Sequence, residues 1–159
     1  MVNTLKVGVV DTTFSRVDMS KFVIEEIVRL APKAKIVRKT VPGIKDIPLA
    51  ALQLLEDENC DGVITLGWVG PSLVDKLSYV VSSMALQLVM LRTKKRIIDV
   101  TIHEDEAKTE EELYRIAEDR ARKHARNLII LLTAPEELTK FAGKGLRQGH
   151  PDVGPISPP

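Results

Sequence analysis

Much of what would place this chain quickly is missing from it. It has one cysteine, Cys60, so no intramolecular disulfide can form, and a lone thiol before an apolar run reads as packing. Neither sign of charge is in excess: 23 basic and 22 acidic residues leave a net charge of +1. That removes the electrostatic case for binding nucleic acid or an anionic membrane, and makes small molecules and other protein chains the expected partners. No charged-then-apolar leader opens the sequence, and no apolar run is expected to reach bilayer-spanning length. The expectation is a soluble protein of the reducing cytoplasm. There is no Walker-type phosphate loop, no G-x-G-x-x-G, no G-x-S-x-G, no H-E-x-x-H and no C-x-x-C. Dinucleotide redox chemistry, nucleotide hydrolysis and zinc proteolysis therefore start low.

What is present is a regular alternation. Leu5–Val10 is a short, β-branched, nearly continuous apolar run, the mark of a strand buried on both faces, and Lys35–Thr40, Gly62–Leu66 and Arg96–Ile102 read as three further strands. Helical periodicity lies between them. Asp18 or Ser20 caps a helix ending at Pro32. Leu49, Leu52 and Leu55 form an apolar stripe on a second helix, and Leu73 to about Arg92 forms a third, apolar enough to be sandwiched. Thr109 and Glu112 make a capping-box start to a fourth. The apolar run Leu128–Leu132 could pass for a fifth strand, but Leu113, Ala117, Ala121, His124 and Leu128 stay in helical phase with it, so one long helix is expected. A short helix from Thr133 to about Ala142 follows.

The expected fold is α/β: a three-layer sandwich with a four-stranded parallel sheet flanked by helices, joined by right-handed crossovers. It forms one domain over residues 1–142, with residues 143–159 a Gly- and Pro-rich arm that would lie on a neighbouring subunit. Such sheets bind ligands outside the carboxyl ends of their strands. The unusual loops gather at that edge: Asp11–Phe14, Thr40–Asp46, Gly67–Pro71 and His103–Ala107.

Each loop has a functional and a plain reading. Val41-Pro42-Gly43-Ile44-Lys45-Asp46 offers backbone N–H groups at a helix start, with Lys45 or Asp46 reaching polar groups; plainly, Asp46 only caps the helix that has Pro48 in its first turn. Gly67-Trp68 could press an indole against a flat ring, or be a turn with one packed aromatic. His103-Glu104-Asp105-Glu106 suits acid–base work or a hard divalent cation, or simply ends a strand and favours the next helix start. His124 reads as a core histidine.

Several long motifs, in order, resemble the archaeal type of riboflavin synthase, a family with a lumazine synthase-like fold: Val9 to Phe14 with Arg16-Val17-Asp18-Met19, Arg38 to Asp46, His103 to Lys108, and Ala142 to Gly149. The resemblance implies dismutation of two 6,7-dimethyl-8-ribityllumazine molecules by four-carbon transfer, giving riboflavin and 5-amino-6-ribitylamino-2,4(1H,3H)-pyrimidinedione. It implies a homopentamer with sites between subunits, no organic cofactor, and a dependence on Mg2+ or Mn2+. Carried over by residue, Thr12, Thr13 and Phe14 line the ring, and Val41, Pro42, Gly43, Ile44, Lys45 and Asp46, with Gly67, hold the ribityl chain and pyrimidine edge. His103 handles the proton of the 7-methyl group, oriented by Glu104 or Asp105. The sequence departs from the family's pattern near Tyr79-Val80-Val81, where a histidine beside a glutamate is expected. Two alternatives stand beside this reading. Lumazine synthase would want an anion-binding arginine after the third strand, where the chain offers only Lys76. A non-catalytic flavin-binding module would have the same fold class.

Overall fold

In the computed structural model, which describes residues 4–159, four parallel strands form one sheet: β1 (Lys6–Thr12), β2 (Lys35–Val41), β3 (Gly62–Val69) and β4 (Arg96–His103), in the order β2-β1-β3-β4. Central strands β1 and β3 are buried on both faces, which is why their sequences run apolar without alternation. Four helices connect and cover them: α1 (Met19–Leu30), α2 (Ile47–Glu56), α3 (Leu73–Thr93) and α4 (Glu110–Thr133). The chain steps from β1 outward to β2, then back across to β3 and on to β4. Right-handed crossovers in opposite directions put the helices on opposite faces. One core packs α1 and α4 on the sheet through Phe22, Ile27, Trp68, Ala117 and Leu128. The other packs α2 and α3 through Ile47, Leu54, Cys60, Leu86 and Val89. The three-layer α/β sandwich is the expected one, and α4 is a single helix started by Thr109, whose hydroxyl accepts from the Glu112 N–H (3.1 Å).

Several local expectations are corrected. Strand β3 does not break at Gly67 but continues through Trp68 to Val69, paired with β4 as far as His103. Glycine is there for close approach: a Cβ on Gly67 would lie 3.0 Å from Ile44 Cδ1. In α2 the buried face is Ile47, Ala50, Ala51, Leu54 and Leu55, spaced three and four apart, while Leu49 falls on the opposite side of the helix and is exposed. The arm after Pro135–Phe141, a 3₁₀ turn, forms a small hairpin of β5 (Leu146–Arg147) and β6 (His150–Pro151). It lies over its own α4, sharing with Asn127 and Leu131 a hollow of about 500 Å³.

The largest correction is α3. It is not sandwiched: Leu73, Val74, Leu77, Val80, Val81, Met84, Leu88 and Leu91 are all exposed, and the face against the sheet carries Ser82, Leu86 and Val89. The inward polar groups are satisfied. Ser82 Oγ donates to the Ile44 carbonyl (2.8 Å), and Ser83 Oγ and Thr65 Oγ1 donate to the Asp99 carboxylate (2.6 and 3.0 Å). At 21 residues and mean hydropathy 1.3, α3 is also long and apolar enough to cross a membrane, contrary to the expectation for the chain. Here it is the crossover between β3 and β4, which are hydrogen-bonded neighbours.

Gly8 shows how tightly α2 sits on the sheet. A Cβ there would be 2.8 Å from Val63 Cγ2 and 2.9 Å from Leu54 Cδ1, both side chains fully buried. Gly8→Ala is therefore expected to destabilise the fold by about 1–3 kcal/mol through overpacking, measured by urea denaturation at constant m-value.

Candidate active site

At the carboxyl edge of the sheet a cleft of about 390 Å³ opens on the α2–α3 side. Phe14 forms one rim. Pro42, Gly43, Ile44, Lys45 and Asp46 form a wall, and Asp75 and Ser78 of α3 face them. The wall is built by the 3₁₀ turn Ile44–Asp46 that leads straight into α2. Asp46 does not cap α2, as expected; its carboxylate reaches back to accept from the Gly43 N–H (3.2 Å), so that amide is already taken. The Phe14 rim is tied to the wall by the Thr13 N–H, which donates to the Val41 carbonyl (2.9 Å), and by Thr13 Oγ1, which donates to the Pro42 carbonyl (3.3 Å). Beneath it the buried Asp11 carboxylate accepts from Arg38 (2.5 Å) and Thr40 Oγ1 (2.6 Å), locking the ends of β1 and β2 together.

The expected ligand residues thus divide. Phe14 and residues 42–46 line the cleft. Thr12 is buried and bonded to Ser15 (3.1 Å), Val41 packs on the α2 core, and buried Gly67 makes room for Ile44, so these three support the cleft from behind. Trp68 also lines the cleft, but only 1% of it is exposed: it packs in the α1–α4 core and donates its indole N–H to Glu104 Oε1 (2.8 Å), so little of its ring is open to a ligand. Asp75 and Ser78 were missed, although polar residues three apart in an otherwise apolar helix were a usable signal.

His103 ends β4 and does not line this cleft; the first turns of α3 stand between them. Its ring meets that of Tyr79 edge-on, with centroids 4.9 Å apart. Burial, and then the nearby Lys76 ammonium, hold its pKa below the ordinary imidazole value, outweighing the acids Glu106 and Asp105. A neutral imidazole at neutral pH can accept a proton. The expected orienting acids face elsewhere: Glu104 accepts from Trp68, and Asp105 pairs with Lys76 (2.8 Å). Glu106 accepts from the His103 backbone N–H (2.8 Å) and pairs with Arg120 (2.6 Å).

These carboxylates diverge onto three different partners, and among the described residues no three His, Cys, Asp or Glu side chains gather as a metal site. That arrangement does not fit a hard divalent cation, which needs several converging oxygens.

Burial also lowers the pKa of His124 on α4, with Arg120 adding to it. Both His103 and His124 therefore bind protons less readily folded than unfolded, where the value is about 6.5. Their stabilising contribution is full above that value and is lost as pH falls through the lower folded pKa values. The melting temperature is expected to fall between about pH 7 and pH 5, above the range in which carboxylates titrate, and His124→Gln should reduce that slope in a calorimetric pH series.

A parallel sheet with an open cleft at the carboxyl ends of its strands defines an α/β protein built to hold a small ligand there. The family model for 6,7-dimethyl-8-ribityllumazine synthase matches residues 4–136. Riboflavin synthase of Archaeoglobus fulgidus is 55% identical, covering 96% of this chain and 99% of that one. Riboflavin synthase of Aeropyrum pernix is 58% identical over 94% and 97%, and that of Methanothermobacter marburgensis 48% identical over 96% and 99%. The chain belongs to the 6,7-dimethyl-8-ribityllumazine synthase family.

Proposed function

We propose that the chain is a riboflavin synthase of the archaeal type, converting two molecules of 6,7-dimethyl-8-ribityllumazine into riboflavin and 5-amino-6-ribitylamino-2,4(1H,3H)-pyrimidinedione. The observation that carries this is identity of 55% and 58% to two riboflavin synthases along nearly the whole of each chain. The equation balances without an external oxidant, so no organic cofactor is called for. One lumazine gives up a four-carbon unit and the other gains it.

The cleft supports this reading. Its volume of about 390 Å³ is near the lower end of ligand pockets, about 300–1,000 Å³, which suits one ribityllumazine better than two. The second molecule then lies on the open side, against another subunit. The placement of His103 outside its own chain's cleft supports the same arrangement, in which His103 of one protomer serves the cleft of the next. The exposed apolar face of α3 supports self-association as a homopentamer. In this scheme the 42–46 wall grips the ribityl chain and pyrimidine edge, Phe14 covers the ring, and His103 removes a proton from the acidic 7-methyl group. Holding two lumazines stacked in reacting geometry removes about 7–11 kcal/mol of a bimolecular barrier in favourable cases. The enzyme would work in the cytoplasm. No step is assigned to Mg2+ or Mn2+.

The test is incubation of the purified protein with 6,7-dimethyl-8-ribityllumazine alone, following riboflavin fluorescence and the pyrimidinedione in equal amounts. Folded, assembled protein that forms neither product overturns the proposal. The second reading, lumazine synthase, is favoured by the description of the matching family model; it predicts lumazine formation from the pyrimidinedione and a four-carbon sugar phosphate instead.

A further inference from the structure

The turn that carries His103 is held from outside the residues that the reaction would single out. It is a single 3₁₀ turn, Glu104–Glu106, at the end of an edge strand. Left to itself, such a turn would give His103 considerable freedom. Three close contacts restrict that freedom, beside a longer Arg16–Glu104 pair (3.8 Å), and they differ in kind. The Lys76–Asp105 pair (2.8 Å) is the more solvent-exposed, at 36% and 49%. The Trp68–Glu104 hydrogen bond (2.8 Å) anchors the near end of the turn to the α1–α4 core. The third contact is a fork. Arg120 Nη1 donates to Glu106 Oε1 (2.9 Å) and to the Thr101 carbonyl (2.7 Å), and Nη2 donates to Glu106 Oε2 (2.6 Å). Glu106 Oε1 in turn accepts from the His103 backbone N–H (2.8 Å). One guanidinium therefore joins β4 two residues before His103 to the turn three residues after it, with the His103 amide bonded between.

We infer that Arg120 and Glu106 are positioning residues for His103, setting the direction of its imidazole through the backbone rather than by touching the ring. This rests on the proposed role of His103. Three features carry it. The fork is bidentate, a geometry that only arginine supplies and that restricts orientation as well as distance. Its side chains are about three-quarters shielded from solvent, 24% and 26% exposed, so it is screened less than the surface pairs around it. Arg120 rises from α4, whose lower half is fixed in the core by Ala117 and Ala121, so the fork refers the turn to a rigid element.

The experiment compares Arg120→Lys, Glu106→Gln and His103→Ala in the assembled protein, with circular dichroism and sedimentation as controls. Arg120→Lys keeps the charge and loses the fork. Misplacement of a catalytic group by about 1 Å costs about 10²-fold, so kcat is expected to fall by about 10- to 100-fold with KM within about threefold. Glu106→Gln weakens the same fork and is expected to lower kcat likewise, and it also changes the charge that His103 feels. His103 is faced by Tyr79 and Lys76 from α3, Asp105 and Glu106 from its own turn, and Arg120 from α4. Of these charges only the two acids favour its protonated form, so removing the Glu106 charge is expected to lower the His103 titration midpoint. That midpoint is read from imidazole proton NMR, the His103 signal being identified among three histidines by its absence in His103→Ala. An unchanged kcat in Arg120→Lys beside an inactive His103→Ala overturns the inference, as does an unchanged kcat in Glu106→Gln. A fully active His103→Ala overturns the underlying reading of His103 instead.

Discussion

Replacing His103 by alanine is expected to lower the rate of riboflavin formation by about 10²- to 10⁴-fold, the usual contribution of a positioned general base. The loss should fall on kcat, because in the proposed scheme His103 only moves the 7-methyl proton, while Phe14 and residues 42–46 hold the ribityllumazine. The pH profile supplies a second check. Burial and Lys76 hold the imidazole pKa below about 6.5, so the residue is in its neutral, proton-accepting form at pH 7. The wild-type rate should be flat near neutrality and fall as pH drops through the lowered pKa. In His103→Ala that acid limb should vanish along with the activity. Full turnover in a correctly folded His103→Ala enzyme would assign the 7-methyl proton to another group. Lys76→Met gives a graded version of the same experiment. It removes a nearby positive charge that disfavours imidazolium, so the acid limb should move to higher pH.

The strands and the site differ in how much of them the sequence disclosed, and the reason is physical. Strands β1 and β3 were readable because a central parallel strand must be apolar on both faces, and α4 because its apolar residues keep helical phase across Asn127. The wall at Pro42–Asp46 was readable as turn chemistry, since proline and glycine leave few conformations open. What stayed hidden depends on which side of an element faces inward. Helix α3 has an apolar face and a small polar one, and periodicity alone sends the apolar face to the chain's own core. The structure reverses this because Ser82 and Ser83 find buried acceptors at Ile44 and Asp99. Gly67 read as a break because glycine loosens strands, whereas here it admits Ile44. The fork between Glu106 and Arg120 joins residues on different elements, and no spacing rule connects them.

Paired acidic substitutions on the outer face of α3, Leu77→Glu with Met84→Glu, are expected to separate the protomers of the proposed homopentamer without unfolding them. In the single chain these side chains are 56% and 64% exposed, so folding should change little, within about 0.5 kcal/mol for each surface substitution. Association is a different matter. Eight large apolar side chains lie exposed along α3, and burying each against a neighbour contributes about 1.5–3 kcal/mol if burial is complete. Two carboxylates placed among them would each have to be desolvated without a partner, at a cost of several kcal/mol. Sedimentation should then show monomers with unchanged far-ultraviolet circular dichroism. If the cleft and His103 of one chain serve different sites, as proposed, those monomers should lose riboflavin formation almost completely while still binding ribityllumazine weakly. Assembled, active protein would show that α3 is not the contact face. Active monomers would be the more informative surprise, since both lumazines and the proton acceptor would then have to be supplied by one chain.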